Sequence, residues 1–286
     1  MAAVADRGYF PRGQSALRRV HGARVVGFTY GQRALLIQAA HPLAFAGLMA
    51  NTQGLEAPFR RLAHTAEVME RVYFGSRTEA DRTTEIVRRM HSRVSGRLRT
   101  PAGRWRAGSK YAADDPEFLR WILVWLADSA QAAYEAFVRG LGAEELERYW
   151  QDYRRVGELF GLPREHSPAD YASYRAYVDE RLASADLFVT DDARELGRRV
   201  AFELPVPAVR RPALEAVNLA VLGLLPQRLR DLYGLPWDPA REAAFRALCA
   251  SLKATARITP GRIRRGSCVA DYNVVARTEA ERLAGA

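Results

Sequence analysis

The sequence predicts an all-α protein, a single mainly helical domain. Three observations carry that expectation. Apolar residues recur at three- and four-residue steps over long stretches, no stretch alternates apolar and polar residues as a half-buried strand would, and helix-start signals punctuate the chain. With 286 residues, 48% hydrophobic and 27% charged, the composition is ordinary for one large globular core. The expected divisions are an N-terminal arm over 1–24, a helical domain over 25–258 and an Arg-rich, partly ordered C-terminal tail over 259–286.

Residues 1–30 hold several glycines and no sustained period, so they read as an irregular arm with one short helix at most. From Arg33 the pattern turns helical: Ala34, Ile37, His41, Phe45 and Leu48 lie on one stripe. His41 falls within that apolar stripe, and Pro42 would kink the helix there. An inward histidine beside a kink either shapes a pocket or simply packs.

The next helix is expected from about Leu55 to Tyr73. Arg61, Thr65, Val68 and Val72 share a face, and the valines mark that face as inward. Arg61 and Thr65 should therefore approach the core, with His64 at the edge of the stripe. Ser76-Arg-Thr-Glu79 is a capping-box match that opens a third helix. Ile86, Val87, Met90 and Val94 read as its apolar side and Gly96 as its C-cap. His91, four residues after Val87 and three before Val94, points inward.

Residues 100–114 form a glycine- and arginine-bearing loop. Asp115-Pro116 then supplies N-cap and N1 signals for a helix that aligns Trp121, Val124, Trp125, Asp128 and Ala132. Asp128 on an aromatic face requires a cationic or hydrogen-bonding partner, and Arg61 is the expected one. Helices follow over about 143–160, from Ser167-Pro168 to about Leu182, and from Thr190 or Asp191 to Phe202. A proline-bounded linker spans 204–212. An apolar helix at 213–225, a short one at 227–233 and an amphipathic one at 238–258 complete the domain.

Charge and cysteine usage narrow the function classes. Net charge is +10, and all but two of the 43 basic residues are arginine. The arginines are dispersed among acids, which describes a solvated surface more than a nucleic-acid stripe. Cys249 and Cys268 are too few and too unpatterned for a disulfide framework or a zinc site, which suits a reducing, cytoplasmic setting. The N-terminus lacks an apolar core of signal-peptide length. Residues 213–225 are interrupted by Glu215 and Asn218 and fall short of the roughly 20 residues of a membrane span. No Gly-x-Gly-x-x-Gly, phosphate loop, Gly-x-Ser-x-Gly elbow or His-Glu-x-x-His is present, so the common nucleotide-binding, hydrolase and zinc-protease readings fall away.

What remains is a His/Arg/Thr constellation on facing helices, the way helical bundles build cofactor sites. Two chemical readings stay open. His41, His64 and His91 on successive helices could form a non-haem metal site. A haem pocket between helices asks for less: one axial imidazole, supplied by His91 among Val87, Met90 and Val94, and cations for the propionates, supplied by Arg61 or the arginines of residues 97–106.

At these residues the sequence resembles the mpaB-type oxygenase family, whose catalytic domain also occurs in rubber oxygenases (latex-clearing proteins), over roughly residues 25–240. The markers are Leu35-Leu-Ile-Gln-Ala-Ala-His41-Pro42, Arg61-Leu-Ala-His-Thr65 with Val72-Tyr-Phe-Gly75, Met90-His91, the Trp121…Asp128-Ser129 helix, Tyr153-Arg-Arg-Val-Gly157 and Leu232-Tyr-Gly-Leu-Pro-Trp237. The resemblance implies an all-helical fold holding haem b, with His91 as iron ligand and Arg61 and Thr65 beside the haem. His64 stands where rubber oxygenases have a lysine. Their proposed glutamate has no counterpart near 41–49, where His41 lies instead, and Leu123 stands where close relatives often have a histidine.

The expected function is a haem b-dependent oxidoreductase, an oxygenase acting with dioxygen on a small apolar or isoprenoid-like substrate. His91 binds the iron; Arg61, Thr65, His64 and His41 are the candidate catalytic residues; Arg61, Thr65 and Asp128 join His91 as cofactor-binding residues. No specific nucleic acid partner is expected, and peripheral membrane contact is compatible with the charge. The alternative is a non-catalytic helical module that binds nucleic acid or anionic membrane through its basic surface.

Overall fold

The computed structural model describes residues 8–50 and 57–284. They form the helices α1 (Ala16–His21), α2 (Arg24–Gly27), α3 (Tyr30–Ala39), α4 (Pro42–Ala50), α5 (Pro58–Phe74) and α6 (Arg77–His91). A two-stranded antiparallel hairpin, β1 (Ser95–Arg97) with β2 (Lys110–Ala112), follows, with Gly96 opposite Tyr111. Then come α7 (Pro116–Phe137), α8 (Ala143–Leu159), α9 (Tyr171–Ala183), α10 (Asp191–Phe202), α11 (Arg211–Leu224), α12 (Gln227–Tyr233), α13 (Pro239–Ile258), α14 (Gly261–Arg264) and α15 (Val269–Ala284). The all-α expectation holds, aside from the small hairpin, whose first strand precedes the expected 100–114 loop and whose second lies within it.

The core is organised around α7. Asp115 caps it by accepting from the Glu117 amide at 2.8 Å, and Pro116 occupies the first turn, where its missing N–H costs nothing. Trp121, Val124, Trp125, Ala127, Ala130, Ala133 and Phe137 are all buried, so α7 is wrapped on several sides, by α2, α3, α8, α9, α11 and α13. Apolar burial of this extent is the main stabilising term of such a fold. Gly157 allows α8 to approach α7 closely, since a Cβ there would stand 2.8 Å from Leu123 Cδ2. Trp150 and Tyr174 stack with centroids 4.3 Å apart and tie α8 to α9.

Several sequence expectations change. The single kinked helix through His41 is two helices: α3 stops at Ala39, and Pro42 starts α4 rather than bending a continuous rod. The His41 ring accepts from the Ala44 amide at 3.4 Å, a capping contact at the α4 start. The arm is built into the core through Leu17 and Val20 of α1; its residues 1–7 lie outside the described residues. The C-terminal segment 259–286, expected as a partly ordered tail, contains α14 and α15, and α15 packs along α5. Its weak periodicity reflects small residues meeting Ala63 and Ala66, in the cluster that Cys268, Tyr272 and Ala276 complete. The apolar segment 213–225 is largely half-exposed, with Ala220, Val221 and Leu225 buried. No described helix is long and apolar enough to cross a membrane.

Candidate functional site around His91 and Arg61

The site begins at the first turn of α5. Pro58 opens the helix, but Ala57 offers no side-chain cap. The missing acceptor comes from α15: the buried Glu279 carboxylate accepts from the Phe59 and Arg60 amides, each at 3.1 Å. A carboxylate there also meets the positive end of the helix dipole. The expected start near Leu55 falls among residues outside the described ones.

Along α5 the stripe Arg61, Thr65, Val68, Val72 divides in two. Val68 and Val72 are buried, whereas Arg61 and Thr65 are exposed, so the expectation that all four face the core is corrected at its N-terminal half. The face continues past the edge of the packed core towards solvent. Arg61 shows this physically: it keeps solvent contact, yet surrounding protein desolvates its guanidinium enough to lower its pKa. Its Nη1 donates to the Leu48 carbonyl near the end of α4, at 3.2 Å. His64, one position before Thr65, is exposed.

On α6 the capping box forms as predicted: the Glu79 amide donates to Ser76 Oγ at 3.2 Å and the Ser76 amide donates to the Glu79 carboxylate at 2.9 Å. The inward face consists of Ala80, Thr83, Thr84, Val87, His91 and, beyond the helix, Val94. Ile86 and Met90, assigned from sequence to that face, instead point outward at 56% and 45% exposure. The helix ends at His91 with Ser92 as C-cap, four residues before the expected Gly96.

His91 is half-buried, and its buried Nδ1 has no hydrogen-bond partner among the described residues. Burial lowers the imidazole pKa; Asp114 acts against that shift and the nearby Arg61 charge adds to it. The ring is therefore held neutral, the form that ligates metal. An unpaired polar atom withdrawn from water is costly, and among the buried side-chain atoms left without a partner, Nδ1 of His91 is the imidazole nitrogen able to ligate a metal. One imidazole with a partly desolvated cation in its electrostatic neighbourhood fits a porphyrin-held iron, which takes a single ligand from the protein and has anionic side chains to neutralise.

The three-histidine metal reading is not supported. Among the described residues no group of three His, Cys, Asp or Glu side chains is placed to hold a metal ion. His41 is buried among the rings of Trp105, Phe118 and Trp121, at centroid distances of 5.1, 5.5 and 5.1 Å. Burial pushes its pKa down to about 4; the charges acting on it are those of Asp186, Arg104 and Arg181, none of which acts on His91.

Asp128 is also corrected. Its partners are Arg33 at 2.8 Å and Arg175 at 2.6 Å, not Arg61. The acid-bearing side of α7 packs against α3 and α9, so it meets their arginines while α5 lies elsewhere. Arg33, Arg175 and Glu279 carry the polar structure of this region and were missed because each partner is distant in sequence. His21 was missed as well, since the N-terminal segment has no period to place it.

The fold and these residues define an all-α domain in which a neutral imidazole and a guanidinium lie within electrostatic reach of each other. The chain belongs to the family described as ER-bound oxygenase mpaB/B'/Rubber oxygenase, catalytic domain, which it matches over residues 18–254. It is similar to uncharacterised proteins of Mycobacterium bovis and Mycobacterium tuberculosis, each 24% identical over 206 residues that cover 72% of this chain and 77% of the relative. No solved structure matches. The family is one of oxygenases, so the chain is assigned to that general class of enzyme.

Proposed function

We propose that this protein is a haem b-dependent oxygenase acting with dioxygen on a small apolar or isoprenoid-like molecule. The observation that supports this is His91, neutral, half-buried and with its Nδ1 unpaired. His91 holds the iron, Arg61 balances a propionate, and Thr65 offers a hydroxyl beside it. His64 holds or releases a proton at the exposed edge of the same face. Bound haem supplies the dioxygen activation, and the protein orients the substrate and limits water. Asp128 and His41 act through the packing that fixes α7 and α4.

Haem reconstitution tests this directly. A Soret band and a pyridine haemochrome spectrum are expected after haem is added to the purified chain, with loss of both in His91→Ala. A protein that takes up no haem overturns the cofactor. One that keeps it fully in His91→Ala overturns the ligand.

A second reading, peripheral contact with an anionic membrane, is supported by the outer face of α6. There Ile86 and Met90 stand with Arg89 and Arg93 around a surface groove of about 430 Å³. Apolar residues flanked by cations suit a lipid interface. Co-sedimentation with phosphatidylglycerol vesicles, but not phosphatidylcholine vesicles, is expected and should vanish in Ile86→Glu/Met90→Glu; equal pelleting of the variant argues against it.

A further inference from the structure

A buried hydrogen-bonded group of three side chains lies away from His91. His21 Nε2 and Tyr153 Oη are 2.6 Å apart, and the Tyr73 hydroxyl is 3.4 Å from that of Tyr153. All three side chains are buried. Burial keeps His21 neutral, with its pKa down at about 3, and keeps both phenols protonated. The arrangement that uses both hydroxyl protons runs from Tyr73 to Tyr153 to His21: Tyr73 donates to Tyr153, and Tyr153 donates to the Nε2 lone pair. The reverse order would leave the Tyr73 proton without an acceptor in the group. The rings are close enough for electron exchange, with His21–Tyr73 centroids at 4.3 Å, His21–Tyr30 at 4.9 Å and Tyr149–Tyr153 at 5.1 Å.

We propose that Tyr153 is a redox-active tyrosine with His21 as its proton acceptor. A one-electron oxidant takes an electron from the Tyr153 ring; the phenolic proton moves along the existing hydrogen bond to His21 Nε2. The products are a neutral phenoxyl radical, an imidazolium and the oxidant reduced by one electron. Return of an electron from a reductant sends the proton back and restores the pair. An oxidised phenol is a strong acid, so even a histidine weakened as a base by burial receives its proton. A cleft of about 50 Å³ lined by Tyr30, Tyr73, Glu70 and Cys268 adjoins the His21 ring. It has room for a few waters. In an oxygenase a dioxygen-derived oxidant left unspent in the absence of substrate would take this electron, and the pair would drain that oxidising equivalent. That physiological role rests on the function proposed above; the redox pair does not.

The test therefore supplies its own oxidant. Flash photolysis of ruthenium(II) tris-bipyridine with a cobalt(III) pentaammine acceptor, in the presence of the full chain without haem, generates ruthenium(III), which is reduced as the tyrosine is oxidised. Electron paramagnetic resonance should show a neutral tyrosyl radical whose g-tensor reports a hydrogen-bonded oxygen. Tyr153→Phe should lose most of that signal, Tyr149→Phe and Tyr73→Phe should keep it, and His21→Phe should shorten its lifetime because the proton has no acceptor. A radical of equal yield in Tyr153→Phe, or of equal lifetime in His21→Phe, overturns the proposal. So does the absence of any tyrosyl signal in the native protein. Circular dichroism confirms that each variant is folded, and selectively deuterated tyrosine in the native chain provides the assignment if Tyr153→Phe does not fold.

Discussion

Arg33 Nη1 stands 2.8 Å from the Asp128 carboxylate, and both side chains are almost wholly removed from water. The same guanidinium donates through Nη1 to Ser129 Oγ at 2.8 Å and through Nε to the Leu224 carbonyl at 2.8 Å. Asp128 also receives Arg175 at 2.6 Å. One acid thus joins α3, α7 and α9, and the end of α11 is tied in through Arg33.

Removing that acid leaves Arg33 charged, buried and short of its counter-ion. Asp128→Ala is expected to cost about 3–5 kcal/mol of stability, with Asp128→Asn costing less because the amide still accepts a hydrogen bond. Urea denaturation measures both. A loss near zero for the alanine variant would mean that the pair is not closed in solution.

Glu279 is the second polar tie. Glu279→Ala removes the acceptor for two α5 amides and should cost about 1–3 kcal/mol, in the range of lost caps and unpaired buried groups. Glu279→Gln should recover part of that loss. Thermal unfolding curves of the three proteins decide it, and equal midpoints would show that α15 does not clamp α5.

Acid should destabilise the fold through His41. Burial holds its pKa at about 4 in the folded chain, against the ordinary value near 6.5. The unfolded chain therefore binds more protons between those values. The stability owed to the neutral ring is complete above pH ~6.5 and is lost as pH falls toward 4, about 3 kcal/mol in all. His41→Gln should flatten the pH dependence of stability in that window, as read from denaturant midpoints; an unchanged slope would place the acid sensitivity elsewhere. His21 adds to the same loss with a window reaching down to about pH 3.

Arg61 separates binding from folding. It is exposed and pairs only with a carbonyl among the described partners, so Arg61→Ala should leave stability within about 0.5 kcal/mol. If a propionate uses this cation, the same variant binds haem more weakly, while Arg61→Lys retains part of the affinity. Titration of each variant with haem checks this, and undiminished affinity in the alanine variant would remove Arg61 from the site.

Much of the fold was legible in the sequence because its signals are local. The Ser76–Glu79 box, the Asp115-Pro116 start and the Thr190 cap each depend on residues within one turn of each other, and each forms. His91 was legible too, since Val87 and Val94 fix its face. Other features were not. Arg61 and Thr65 share their stripe with Val68 and Val72, but periodicity defines a direction around a helix and not the point along it where packing stops. Asp128 required a partner, and the choice between Arg61, Arg33 and Arg175 depended on which helices cross α7. Met90 and Ile86 are apolar on an exposed face, an arrangement that hydrophobic patterning misassigns by construction.

The divided stripe on α5 has a mechanical meaning. Val72 and Arg61 are eleven residues apart on one uninterrupted helix, a span of about 16 Å at the helical rise, and such a rod pivots more readily than it bends. With α15 holding the Phe59 and Arg60 amides, a displacement where Val72 is wedged in the interior is passed along the rod as a shift of α5 and α15 together, and so reaches the guanidinium end. Substitutions that fill or hollow the interior near Val72 would then retune ligand affinity without touching any ligand-facing atom, and directed evolution of this enzyme should find such remote changes as readily as local ones.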